Sequence, residues 1–284
     1  MRILLLFFLL SPAIGNAQSP QLSWGSAAEV GIDSRKLANA INLYRQAVQK
    51  DVVRGAVLLI ARDAKVIALE ALGWKNVRLK LPMQKDTLFR MASNTKPVIG
   101  AAIAYLFDRG KLQFHDPVGK VLESFQHPKS SDITIHQLLT HTSGFRIQPI
   151  FLPPPANPTP MNRQQPNLQI EVNRFAKVGA TAKPGTSYSY SNAGFNTLGA
   201  VIEVVSQRPL EDFLRATIYQ PLDMRDTYHH EIAKKLDGKL NRMSVVYTKR
   251  NGQWTVRWKP GQAPQYPFVR ASGGLISTAW DYAV

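Results

Sequence analysis

A serine and a lysine three residues apart, Ser93 and Lys96 in Phe89-Arg90-Met91-Ala92-Ser93-Asn94-Thr95-Lys96, lead into an apolar, helix-like run. Positions i and i+3 of a helix share a face, so the amine can reach the hydroxyl within one turn. A serine hydroxyl attacks a carbonyl only when a neighbouring base takes its proton, and this pair supplies both groups. It is the sole Ser-x-x-Lys of the chain. A capping serine beside a solvated lysine has the same spacing, so the pair needs support from other elements. Tyr190-Ser191-Asn192, the sole Tyr-x-Asn, precedes a helical pattern from a loop, where side chains can project into a cleft. A tyrosine beside a protonated lysine ionises more readily and can act as a general base. Asn192 offers a donor and an acceptor, and also suits a helix cap.

The elements that must carry these residues are legible in outline. Asp33 or Ser34 caps a helix to about Lys50, with Leu37, Ile41, Tyr44 and Val48 on one face. Gly55–Ala61 and Val66–Leu72 read as strands around a turn at Arg62-Asp63-Ala64-Lys65, apolar enough to be covered on both faces. Val98, Ala101, Ala102, Tyr105 and Leu106 mark a buried helix that ends at Gly110. Pro97 is tolerated only in a first turn, which places the helix start at or just before Ser93 and aims its N–H groups there. Thr134 opens a short helix with a capping box and Gly144 closes it; His141 at its end is expected to serve the last carbonyls rather than act as a base. Residues 147–166 are proline-rich and aperiodic, a long loop of the kind that rims or covers sites. Asn192 is expected to cap a helix carrying Leu198, Val201, Ile202 and Val205, and Pro209 to start another with Phe213 and Leu214 inward. Asn251-Gly252 signals a hairpin between Met243–Tyr247 and Trp254–Trp258. Ser277 or Thr278 caps a last helix.

Composition narrows the function classes. The 284 residues are 44% hydrophobic and 19% charged, as in a soluble globular protein of one large or two interleaved domains. Met1 to Ala17, with Arg2 before an apolar core and Gly15-Asn16-Ala17 after it, reads as a secretory signal too short to span a bilayer, so a secreted or periplasmic protein is expected. The absence of cysteine excludes a disulfide framework, a thiol nucleophile and lipid attachment. The six histidines lack metal-binding spacing, so neither a metal nor another cofactor is expected. The formal net charge of +16 is scattered and accompanies no nucleic-acid-binding motif, so a basic secreted enzyme is expected rather than a nucleic-acid-binding protein.

Four motifs in order make the chain resemble the serine β-lactamase and penicillin-binding protein superfamily. They are Phe89-Arg90-x-Ala92-Ser93-x-Thr95-Lys96, Leu138-Leu139-Thr140-His141-Thr142-Ser143-Gly144, Pro184-Gly185 with Tyr190-Ser191-Asn192, and Gly273-Gly274-Leu275-x-Ser277-Thr278. The likeness is to the class C-like branch, which includes family VIII esterases and D-alanyl-D-alanine carboxypeptidases, and it covers about Trp24 to Val284. The resemblance implies an α/β fold of the α+β type, an antiparallel sheet flanked by helices with a mainly helical lobe. The α/β lobe would comprise 18–85 and 262–284, the helical lobe 86–261. It implies Ser93 as acylated nucleophile, Lys96 as its proton partner, Tyr190 as general base and Asn192 as a substrate-orienting group. It also implies a third motif, Lys-Thr-Gly or His-x-Gly, on a strand after Gly273. The matches Lys177-Val178-Gly179, Lys183-Pro184-Gly185 and Lys259-Pro260-Gly261 all precede that point, and two carry proline. The sequence is therefore expected to be a C-terminally shortened piece that lacks this strand. The activity expected is a serine hydrolase acting through an acyl-enzyme on an ester, a β-lactam or a D-amino-acid amide. A non-catalytic binding module and a basic cell-wall-associated protein are the alternatives.

Overall fold

The computed structural model describes residues 22–147, 167–229, 236, 238–262, 266 and 268–284. The signal-like segment 1–17 and nearly all of the proline-rich stretch lie outside the described residues.

Asp33 caps α1 (Ser34–Gln49), its carboxylate accepting the Arg35 and Lys36 amides. The helix lies on a hairpin of β2 (Gly55–Arg62) and β3 (Lys65–Asn76). It is a partial cover: Leu37, Ile41 and Val48 are half-buried, while Tyr44, expected on the same stripe, is exposed. Asp63 and Ala64 turn the hairpin with φ of 52° and 58°, a twist that matches paired strands. β1 (Ser23–Trp24) joins β3 in parallel and β4 (Leu81–Pro82) pairs with its far end, giving the order β1-β3-β2. The parallel β1–β3 pair departs from the expected antiparallel sheet because the segment ahead of α1 supplies a short strand, Ser23–Trp24, beside β3. α7 (Ala279–Ala283), capped by Thr278, packs against β2, which nonetheless stays half-buried along most of its length.

The main core belongs to the helices. α5 (Asn192–Ser206) is buried without a break from Ala193 to Ile202, as its all-round apolar sequence requires. Around it pack α2 (Thr95–Asp108), α3 (Ile135–Leu139), α4 (Leu168–Val178) and α6 (Leu210–Leu214). Ile99 and Ile103 of α2 point inward, while Ala101, expected there, is exposed. An isoleucine gains more from burial than an alanine methyl, so the helix turns its branched side chains to the core. The capping box of Thr134 and Gln137 forms as expected. Two caps differ by one residue: Ser191, not Asn192, caps α5, and Pro209 caps α6 rather than lying within it.

A small antiparallel sheet, β5 (Phe89–Arg90), β9 (Leu275–Ser277) and β6 (Tyr228–His229), connects the two regions in the order β5-β9-β6. β7 (Val246–Arg250) and β8 (Gln253–Trp258) form the hairpin at Asn251-Gly252, whose φ values are 50° and 77°. That hairpin is tied to the first one: Val245 N–H donates to the Lys75 carbonyl at 2.9 Å and Trp254 Nε1–H to Asp51 at 2.9 Å. Among the described residues none of the three Lys-x-Gly matches lies on a strand.

Candidate active site

Ser93 lies in the tight turn Ala92–Asn94 that runs into α2, and Pro97 falls in the first helical turn, where its missing N–H costs no bond. Ala92 has φ of 47°, a left-handed conformation that strains a residue with a Cβ, immediately before the serine. The turn is fastened to β9 from both sides. Met91 N–H donates to the Leu275 carbonyl at 2.8 Å, and Leu275 N–H donates to Thr95 Oγ1 at 3.2 Å. The Thr95 hydroxyl in turn donates to the Ala92 carbonyl at 2.7 Å. The motif marks Thr95, but its bond to Leu275, 180 residues away, cannot be read from the local pattern.

Lys96 is only 5% exposed, and its amine is surrounded by acceptors. Nζ lies 3.2 Å from Ser93 Oγ, 2.9 Å from Asn192 Oδ1 and 2.8 Å from the Ser272 carbonyl. Three acceptors match the three hydrogens of an ammonium group. Nζ also sits 4.6 Å from the Tyr190 ring centroid, so all four residues singled out in the sequence meet around one amine. Burial pushes the Lys96 pKa below the ordinary lysine value. Hydrogen bonding and charge attraction with Tyr190 raise it, and the positive charge of Arg270 lowers it further. A lysine so depressed gives up its proton more readily, which is what a base for Ser93 needs.

Two further residues set this geometry. Asn196, fully buried on α5, accepts the Ser272 N–H at 2.9 Å and thereby aims the Ser272 carbonyl at Lys96. Ser191 Oγ accepts the Gly194 N–H at 3.0 Å, and this cap leaves the Asn192 side chain to face the lysine. His141 also departs from expectation. Its ring does not serve the carbonyls of α3: Nδ1 accepts the Ser191 N–H at 3.1 Å, and the ring lies 4.6 Å from that of Tyr190. The His141 carbonyl accepts Ser189 N–H at 2.8 Å. Burial, with the Lys96 charge adding to it, holds the imidazole below its usual pKa, which favours the neutral form that can accept at Nδ1. The motif Leu-Leu-Thr-His marked the segment, but its contact with the Tyr190 loop is set by folding.

A cleft of about 380 Å³ opens in front of Ser93 and Asn192, walled by Ser272–Leu275 and by Val246 and Arg257 of the second hairpin. Among the described residues no cluster of His, Cys, Asp or Glu is placed to hold a metal ion, and no helix is long and apolar enough to cross a membrane. A buried amine against a serine hydroxyl at the edge of an open cleft can support nucleophilic attack on a bound carbonyl.

Comparison with known proteins gives the family and the fold. The family model described as Beta-lactamase matches residues 40–284. The chain is 33% identical over 209 residues to Esterase EstB of Burkholderia gladioli, covering 69% of this chain and 52% of that protein. Among solved structures it superposes on the octameric penicillin-binding protein homologue from Pyrococcus abyssi with a TM-score of 0.69 at 26% identity, covering 87% and 55% of the two chains. On the D-amino acid amidase from Ochrobactrum anthropi SV3 the TM-score is 0.67 at 25% identity, covering 87% and 68%. The chain thus spans about half the length of the curated esterase it matches.

Proposed function

Because this chain belongs to the beta-lactamase family, we propose that it is a serine hydrolase that works through an acyl-enzyme on Ser93. The observation that carries the reading is the 3.2 Å contact between the Lys96 amine and Ser93 Oγ, in a lysine whose pKa burial has lowered. In its neutral form Lys96 accepts the Ser93 proton as Oγ attacks the substrate carbonyl. The Ser93 amide, at the N-terminal end of α2, faces the negative charge that develops on the carbonyl oxygen. The leaving group departs with a proton from Lys96 or Tyr190, and a water activated by Tyr190 hydrolyses the ester formed on Ser93. Asn192 orients the substrate amide or ester and holds Lys96 in place.

The substrate is an ester, a β-lactam or a D-amino-acid amide, a range suggested by the family's description and by the names of the similar esterase and amidase. The two lobes, 18–85 with 262–284 and 86–261, form the two sides of the cleft in this reading. The mature protein acts outside the cytoplasm, after removal of residues 1–17. Both parts are tested by one labelling experiment. A fluorophosphonate probe added to a periplasmic extract should label Ser93 in a protein that begins at Gln18. Label on a different serine, or undiminished label in Ser93→Ala, rejects the catalytic assignment; a labelled chain that still begins at Met1 rejects export.

A further inference from the structure

α5 sends two amide side chains towards the same amine. Asn192 and Asn196 stand four residues apart, so they share a face of the helix, one turn from each other. Asn192 Oδ1 reaches Lys96 Nζ directly, at 2.9 Å. Asn196 reaches it through the backbone of Ser272: its Oδ1 accepts the Ser272 N–H at 2.9 Å, and the Ser272 carbonyl accepts from Lys96 Nζ at 2.8 Å. Asn196 is fully buried, and Ser272 is only 2% exposed. The neighbouring Thr197, equally buried, donates within its own helix to the Ala193 carbonyl at 2.9 Å, whereas Asn196 bonds across to another segment. Asn196 Nδ2, like the Ser272 hydroxyl, is buried with no partner among the described residues. Burying an amide with half of its bonding unmet costs stability, in a helix that apolar side chains otherwise fill. Packing alone therefore does not account for an asparagine at this position.

We propose that Asn196 is a positioning residue for the hydrolase: acting through the Ser272 backbone, it fixes the direction in which Lys96 presents its lone pair to Ser93. The proposal rests on the acyl-enzyme reading for the use made of that lone pair, not for the contact itself. A neutral amine has two hydrogens and one lone pair. Asn192 Oδ1 and the Ser272 carbonyl oxygen can only accept, so they take the two hydrogens, at 2.9 and 2.8 Å. The lone pair is left for the Ser93 hydroxyl at 3.2 Å. As Ser93 Oγ bonds to the substrate carbonyl carbon, the carbonyl electron pair moves onto its oxygen and the hydroxyl proton passes to Nζ. The resulting ammonium finds all three acceptors already in place. Ser272 also begins the cleft wall Ser272–Leu275, so the same asparagine ties the base to that wall. The charged and titratable groups that face the amine are Tyr190, with its ring centroid at 4.6 Å, and Arg270, whose charge lowers the lysine's pKa; His141 in turn feels the lysine's charge.

The test reads the full chain and the variants Asn196→Ala, Asn196→Leu and Asn196→Asp in two ways. Lys96 is titrated by NMR with lysine isotope-labelled at Cε, its signal assigned by its loss in Lys96→Arg. The rate constant for fluorophosphonate labelling of Ser93 is measured against pH. Without the Asn196 acceptor the Ser272 carbonyl loosens, which weakens a bond that favours the charged amine over the neutral one. In Asn196→Ala the Lys96 titration and the acid limb of the labelling rate should both move to lower pH, by about one pH unit. The plateau rate should fall by about 10- to 100-fold, because the lone pair is no longer held on Ser93. Asn196→Leu, which fills the space without an acceptor, should match it. Asn196→Asp keeps the acceptor and adds a negative charge near the amine, so both readings should move to higher pH. Thr197→Val, next along α5, controls for loosening of the helix and should leave both at the parent's values. A smaller folded fraction lowers the amplitude of labelling but moves neither the titration nor the rate constant. An unmoved Lys96 titration in Asn196→Ala and Asn196→Leu, a plateau rate equal to that of a labelled parent, or an equal shift in Thr197→Val overturns the proposal. A parent that is never labelled, while its Lys96 titration responds to the variants as expected, rejects the hydrolase reading and leaves the hold of Asn196 on Lys96 standing.

Discussion

Replacing His141 tests whether the catalytic loop is held by a histidine that need not touch the substrate. His141 Nδ1 accepts the Ser191 N–H at 3.1 Å, and its ring lies 4.6 Å from Tyr190 and 5.0 Å from Phe195. In His141→Ala the Ser191 amide, on a residue only 2% exposed, loses its partner, at a cost of about 1–3 kcal/mol. The lost ring contacts add about 0.5–1.5 kcal/mol, so unfolding should become easier by about 2–4 kcal/mol in all. His141→Asn is the informative companion. Asparagine tolerates the φ of 58° at this position and offers an oxygen as acceptor, so it should recover part of the loss. Because the loop carries Tyr190 and Asn192, His141→Ala should lower kcat for p-nitrophenyl butyrate more than it changes KM. The pH dependence follows from the depressed pKa of this histidine. Below about pH 6.5 an unfolded histidine takes up a proton that the folded one resists. Stability is therefore complete above that value and falls as the pH drops towards the folded pKa. Urea unfolding between pH 5 and 8 should show this fall in the parent protein and a smaller one in His141→Asn. The reasoning is refuted if His141→Ala unfolds within about 0.5 kcal/mol of the parent and keeps its kcat.

Two other outcomes follow from the same framework. Tyr190→Phe keeps the ring against Lys96 and removes only the hydroxyl, so turnover should fall by about 10²–10⁴-fold with the melting temperature little changed; near-normal turnover would assign the proton steps to Lys96 alone. Gly144 has φ of 73°, and a Cβ there would lie 2.1 Å from the Ala182 carbonyl oxygen. Gly144→Ala should therefore cost at least about 2 kcal/mol in chemical denaturation and loosen the His141 segment; unchanged stability would mean that the backbone of the 180–185 loop yields freely.

Local rules read much of this protein from the sequence alone. Ser93 and Lys96 were legible because their meeting requires only one helical turn, which i, i+3 spacing dictates. The Thr134 capping box, the Asn251-Gly252 hairpin and the Asp33 cap were legible for the same reason, each being complete within a few residues. Tyr190 and Asn192 stood out as a unique pattern, and the resemblance linked them to the serine before any contact was visible. What the sequence assigned less well were choices between neighbours: Ser191 or Asn192 as the cap, Ala101 or Ile103 on the buried face of α2. There local preferences differ little, and the packing of α5 and α2 against their surroundings decides. The rest belonged to tertiary structure. The third acceptor of Lys96 is the backbone carbonyl of Ser272, 176 residues away, and a carbonyl has no letter of its own in a sequence. Asn196 aims that carbonyl from a position that reads as one more residue of a buried helix. His141 turns to the Tyr190 loop instead of its own helix because the folded chain brings the Ser191 amide within 3.1 Å of its ring. Arg90, Arg257 and Arg270 converge on one cleft although they lie far apart in the chain, since only the joining of β5, β8 and the approach to β9 brings their charges together.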